Sequence, residues 1–294
     1  MLISIASIIA PIVLIVLGGY LYAKRYDTDM RIANRLTIDV FTPALLFSVL
    51  INQDLELGGY TNLALGAVLV ILISGLVAWG VAKFNHMSGK TFVPPMMYAN
   101  SGNVGLPLAL LAFGEAAMPA AIILFIVENT MHFTLGIKTL DRTASLLSVL
   151  CIPMVWTSAL GLGFNMLDFS LPSVLLTPLS MIGDIAIPLM LFSLGVRLVD
   201  INFEHWKIGL TGAIVRPLSG VVALLFVLPW LDLTPLNSAL LIIFAVLPPA
   251  VLNFMVAEKY QQEVQKVAAI VLIGNVFALI SLSIALYYVL PGVK

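Results

Sequence analysis

Charge is what this sequence has least of. Only 10% of its 294 residues are Asp, Glu, Lys or Arg, whereas a soluble domain carries about a quarter. That shortage excludes a water-solvated globule. A hydrophobic share of 61% and a mean hydropathy of +1.09 leave lipid as the solvent. The formal net charge of -1 excludes a basic surface for nucleic acid. The single cysteine, Cys151, lies inside an apolar run, so no intrachain disulfide framework exists. The three histidines, His86, His132 and His205, lack metal-ligand spacing. No glycine-rich phosphate loop follows a strand-like segment, and no Ser/His/Asp arrangement stands out. Neither catalysis, a cofactor nor a metal is expected.

Long apolar runs are what the sequence has instead. A helix needs about 20 apolar residues to cross the hydrocarbon core. Charged clusters divide the chain into ten such segments, near Ile3–Ala23, Leu36–Ile51, Tyr60–Ala82, Phe92–Phe113, Ala116–Gly136, Leu146–Phe164, Val174–Leu198, Ile208–Leu228, Leu236–Ala257 and Val267–Leu290. The first is free of charge from Met1 to Tyr22 and has no basic flank before it, so a cleaved signal peptide is not expected.

Lys and Arg set the orientation. Lys24, Arg25, Arg31 and Arg35 follow span one, Lys83 and Lys90 span three, and Lys138 and Arg142 span five. Arg197 and Lys207 follow span seven, and Lys259 and Lys266 span nine. The even-numbered loops have none. Of the fourteen basic residues only Arg216, within a span, and Lys294 fall elsewhere. Odd-numbered loops are therefore expected in the cytoplasm and both termini outside a cell membrane.

The chain also repeats itself. At a shift of 145 residues, Asp39-Val-Phe-Thr-Pro43-Ala-Leu-Leu46-Phe47-Ser48 aligns with Asp184-Ile-Ala-Ile-Pro188-Leu-Met-Leu191-Phe192-Ser193. At 142, Pro11 and Gly19 meet Pro153 and Gly161; at 146, Asn129 meets Asn275. Five spans per copy is an odd number, so the second copy enters the membrane from the opposite side. Residues 1–140 and 141–294 then form two inverted five-helix repeats of one all-α membrane domain, the architecture of secondary transporters.

Two spans carry breaks in matching places. Span four reads Pro94-Pro95-Met-Met-Tyr98-Ala-Asn100-Ser101-Gly102-Asn103-Val104-Gly105-Leu106-Pro107, and span nine Leu247-Pro248-Pro249-Ala-Val-Leu-Asn253-Phe254. Such sequences are poor helix interior. Freed N–H and C=O groups at membrane depth are tolerated only against protein or a wet cavity. Paired breaks therefore point to a binding site. Half-helices restarting after Gly105 and Pro249 would aim positive ends at the centre, which suits an anion. The blander alternative is that Pro and Gly only kink packed helices.

These stretches, with the following Ala257-Glu-Lys-Tyr260, resemble the auxin efflux carrier family over the whole chain. The resemblance implies ten spans and a crossover of broken helices four and nine, a fold similar to bile acid/sodium symporters. It also implies substrates such as auxin, malonate or malate, with Asn103 and Asn253 at the crossover near the substrate.

Ionisable residues at bilayer depth are costly, and each is a functional candidate. Arg216 falls roughly 13 Å into span eight. It either balances a substrate carboxylate or pairs with Asp184 or Glu128. Glu128, Asn129 and His132 cluster in span five, with Glu128 and His132 on one face. They either relay a proton or cation or form a hydrogen-bonded strut. Asp39 and Asp184 are expected as caps or interfacial hydrogen-bonders rather than ligands.

The expected function is secondary transport of a small organic anion by alternating access. Asn100, Asn103, Asn253 and Arg216 would bind substrate, and Gly102, Gly105, Pro107, Pro248 and Pro249 would form the breaks. Glu128, Asn129, His132 and Asn275 are the polar cluster for coupling or support. The alternative is a sodium- or proton-coupled symporter of bile-acid-carrier type. Expected partners are the anion and the bilayer; a homodimer and a coupling Na+ or H+ remain open.

Overall fold

The computed structural model describes residues 1–52, 57–141, 153–167, 169–200 and 203–293. Arg142, Cys151, Lys294 and the start of span six as far as residue 152 lie outside the described residues. Fifteen α-helices follow one another: α1 (Leu2–Arg25), α2 (Arg31–Leu36), α3 (Thr42–Asn52), α4 (Leu57–Phe84), α5 (Gly89–Met97), α6 (Leu106–Phe113), α7 (Met118–Met131), α8 (Ile137–Leu140), α9 (Pro153–Met166), α10 (Ser173–Gly183), α11 (Ala186–Arg197), α12 (Trp206–Val227), α13 (Pro235–Val246), α14 (Leu252–Lys259) and α15 (Val264–Val293). Among the described residues no strand forms beyond one isolated bridge.

Among the described residues, seven continuous stretches are long and apolar enough to cross a membrane: Leu2–Arg25, Arg31–Ile51, Gly59–Phe84, Glu115–Leu140, Ser173–Arg197, Trp206–Trp230 and Val264–Val293. Expected spans four and nine are absent from that set because each is split, into α5 and α6 and into α13 and α14. Span six is seen only from Pro153 onward, as α9. Outward-facing side chains such as Leu76, Trp79, Leu225, Phe226 and Tyr288 are large and apolar, as contact with lipid permits.

Prolines explain the irregular turns. A proline ring collides with the carbonyl four residues earlier and supplies no N–H to it. Before Pro43 that residue is Asp39, inside a π-helical turn at Thr37–Phe41. Before Pro107 it is Asn103, inside a second π turn at Ser101–Gly105. Before Pro188 it is Asp184, where α10 ends and α11 has yet to begin. A third π turn, His132–Gly136, joins α7 to α8. The second half of span four therefore restarts at Ser101, upstream of the expected Gly105, and Pro94 and Pro95 stay inside α5. Span nine restarts at Leu252.

Packing sorts the helices into two sets. α1 lies on α11, and α3 on α9 and α10; α4 packs on α5, α7 and α12, and α15 on α12 and α13. Two glycine contacts in the first set mirror each other. A Cβ at Gly19 would lie 2.1 Å from the Phe192 carbonyl oxygen, and one at Gly161 would meet Leu50 Cβ at 3.0 Å and Phe47 Cα at 3.5 Å. Only a residue without a side chain lets the backbones approach so closely.

Candidate functional site

The two breaks meet each other. Tyr98–Asn100 runs extended beside Leu247–Val251, with an antiparallel bridge between Ala99 and Pro249. The Asn100 N–H donates to the Pro248 carbonyl at 2.8 Å, and the Ala250 N–H to the Tyr98 carbonyl at 2.9 Å. The freed backbone groups of the two breaks thus satisfy one another, which is how a helix can be interrupted at membrane depth. Side chains complete the pairing. Asn253 Nδ2 donates to the carbonyls of Tyr98 (3.2 Å) and Ala250 (3.0 Å). From α15, Asn275 Nδ2 donates to the Pro249 and Val271 carbonyls at 3.0 and 2.8 Å, while its Oδ1 accepts from Asn100 Nδ2 at 2.8 Å.

A cavity of about 130 Å³ opens beside this crossing. Asn100, Gly102, Asn103, Ala250 and Val251 line it from the breaks, and Phe125, Glu128, Asn129 and Phe133 from α7 and the π turn that follows. It is also lined by Asn34 of α2, Thr37 and Ile38 of the first π turn, Thr42 of α3, Met154 of α9, and Met190, Ser193 and Arg197 of α11. Leu252 and Met255 of α14 complete the lining. The three π turns among the described residues all contribute residues. Such turns recur at functional sites because the extra residue redirects side chains.

The polar cluster of α7 borders the cavity. Glu128 is 2% exposed; its Oε2 accepts from Ser101 Oγ at 2.7 Å and Asn129 Nδ2 at 3.2 Å. Its Oε1 lies 3.5 Å from His132 Nδ1, and neither atom has a hydrogen-bond partner. The His132 ring stacks on Tyr98, with centroids 4.1 Å apart and planes 8° apart.

The sequence-selected residues therefore divide in two. Asn100, Gly102, Asn103, Glu128 and Asn129 converge on the cavity. Asn253, Asn275, Pro248 and Pro249 hold the crossing itself. Gly105 closes the Ser101–Gly105 π turn, Pro107 stands in the first turn of α6, and His132 backs Glu128. Arg216 stands apart from the lining. It is 1% exposed, and its Nη1 donates to the Ala245 carbonyl, 2.9 Å away in the last turn of α13. A cation there faces the negative end of the helix dipole. One turn on, Gly220 lets α12 touch the same carbonyl; a Cβ there would lie 1.7 Å from the Ala245 oxygen. Asp39 lies at the surface 3.4 Å from Arg35.

Sequence reasoning passed over Arg197, Ser193 and Asn34. Ser193 Oγ donates to Asn34 Oδ1, tying α11 to α2. The available signal was the repeated motif, which ends at Ser193; Arg197 follows one helical turn later on the same face.

Broken helices that cross beside a polar cavity in an apolar helical bundle make this a multi-pass membrane transporter. The chain belongs to the membrane transport protein family, the auxin efflux carriers, whose sequence profile matches residues 140–286. It is 26% identical over 301 residues to an uncharacterized transporter of Methanothermobacter thermautotrophicus, covering 95% of this chain and 96% of that one. It is 24% identical over 316 residues to a protein of Rhizobium meliloti named "Putative malonate transporter", covering 98% and 97%. A third transporter, from Methanocaldococcus jannaschii, is 23% identical over 306 residues, covering 95% and 96%.

Proposed function

We propose that the protein is a secondary carrier of a small organic anion, a mono- or dicarboxylate, working by alternating access with its substrate beside the helix crossing. One observation carries this: a small cavity beside the helix crossing has Asn103 and Arg197 together in its lining. Asn103 offers an amide and Thr42 a hydroxyl, while the Asn100 and Asn129 amides already donate to Asn275, Phe125 and Glu128. Arg197 supplies the fixed positive charge and planar fork that suit a carboxylate. The volume is well below the roughly 300–1,000 Å³ of sites for drug-sized ligands, which favours a compact acid over a steroid. The relative named for malonate points the same way.

The fold that goes with this function is ten spans in two inverted repeats, residues 1–140 and 141–294. The reciprocal glycine contacts support it. Gly19 meets Phe192 and Gly161 meets Phe47, and each residue of one pair is the repeat mate of a residue in the other. The basic-loop bias supports outward termini in the cell membrane. In that orientation Asn34 and Arg197 lie towards the cytoplasm, so the cavity faces inward. Transport would move the crossing, with α4, α7, α12 and α15, against the set built on α1, α3, α9 and α11.

The test is uptake of labelled malonate, and of a panel of mono- and dicarboxylates, into proteoliposomes, with binding to purified protein followed by thermal shift. Saturable uptake of at least one acid is expected. Transport of neutral or cationic solutes alone would refute the anion assignment.

A further inference from the structure

Within the proposed anion carrier, we propose that Glu128 and His132 form a proton-binding site that loads together with the anion. The geometry is specific. Glu128 Oε1 and His132 Nδ1 face each other at 3.5 Å, both buried and both without a hydrogen-bond partner. A neutral imidazole can face Oε1 with its one N–H on Nδ1, and a further proton on Nε2 then makes an imidazolium held by the carboxylate. A buried carboxylate facing an imidazole favours the imidazolium by opposite charge, so the pair can take up one proton. The other carboxylate oxygen is already occupied by Ser101 and Asn129. Nitrogen opposite oxygen suits a proton better than a hard cation, which collects oxygens.

Coupling follows from position. Glu128 lines the cavity together with Asn100, Asn103 and Asn129. A substrate carboxylate entering there meets a second negative charge when the pair is unprotonated, and like charges at short range repel. With one proton bound the pair is neutral and the anion is admitted. By reciprocity, a bound anion strengthens proton binding by the same factor. Ser101 links this charge state to the π turn that carries Asn103.

The charged and titratable groups facing the pair are few. Tyr98, from the break, stacks on His132. Arg197 of α11 shares the cavity. α3, α6 and α13, which also pack on α7, carry no charged residue. On α4 the titratable groups, Tyr60 and Lys83, stand in its first and last turns.

The experiment has two arms on the purified full-length protein. The first follows the imidazole NMR signals from about pH 5 to pH 8, with His132→Gln assigning the signal. A single-proton titration of His132, altered by Glu128→Gln, is expected. The second measures malonate affinity and proton uptake on binding. Above the midpoint of the His132 titration, affinity should fall about tenfold per pH unit, as one linked proton requires. About one proton should be taken up per malonate there, and the slope should vanish in Glu128→Gln. A His132 that does not titrate overturns the proposal, as does malonate affinity that ignores pH. So does sodium chloride, but not choline chloride, raising affinity at fixed pH, because a cation would then occupy the site. Failure of malonate and every other acid to bind while His132 still titrates would refute the anion carrier and leave the proton site standing.

Discussion

Asn100 donates its side-chain amide to Asn275 at 2.8 Å across 175 residues of sequence. The same Asn275 donates to the Pro249 carbonyl at 3.0 Å. One side chain on an unbroken helix therefore holds both broken ones, and the crossing depends on it.

Asn275→Leu should destabilise the protein more than its size change suggests. It strands the Asn100 amide and the Pro249 carbonyl, each about 1–3 kcal/mol when buried unpaired. The melting temperature in detergent should fall by several degrees. In a double-mutant cycle, Asn100→Ala with Asn275→Ala should cost less than the sum of the singles.

Arg197→Gln should weaken malonate binding about tenfold or more, the worth of a charge-assisted hydrogen bond. Asn103→Ala should weaken it about fivefold to tenfold. Asn103 lies at the cavity edge, so the melting temperature of its variant should stay near wild type. Unchanged affinity in both variants, measured by calorimetry, would place the substrate elsewhere.

Arg216→Met should act on stability first. It removes the donor at the Ala245 carbonyl and the charge at the α13 terminus, about 2 kcal/mol for a buried helix end. Arg216→Lys should recover part of that loss. A fall in melting temperature with malonate affinity held is the expected pattern. Lost affinity with a normal melting temperature would instead assign Arg216 to the anion.

Glu263 predicts an acid-sensitive latch. Lys266 and Thr91 hydrogen-bond its carboxylate and hold its pKa below the usual glutamate value. A carboxyl whose pKa is lowered by folding stabilises above its unfolded pKa, and that contribution is lost as pH falls through the folded value. Below about pH 4.3 the link from α5 to the loop before α15 should weaken. Hydrogen exchange in residues 88–92 should rise there in wild type. In Glu263→Gln it should be raised already at neutral pH and respond less to acid.

Topology can be tested in a Cys151→Ser background. Gly59→Cys should react with an impermeant maleimide from outside and Asn85→Cys only from inside. Labelling of both from one side would remove the inverted repeat.

Much of this molecule was written in its linear sequence. Apolar runs of membrane length, basic residues in alternate loops and the repeated Asp-x-x-x-Pro-x-x-Leu-Phe-Ser are local properties, read without knowing any contact. The breaks were equally local, because Pro and Gly act on their own backbone: Pro107 acts on Asn103, and Pro43 on Asp39. What tertiary structure alone decided is which polar groups meet. Asn253 turned to the backbone of the crossing, Arg216 to the end of α13, and Arg197, read only as an orientation charge, to the cavity. The reason lies in the solvent. In water a helix buries its apolar face, and the pattern shows which side is inward. In lipid both sides are apolar, so the sequence names the polar residues but leaves their direction to the packing of α7, α12 and α15.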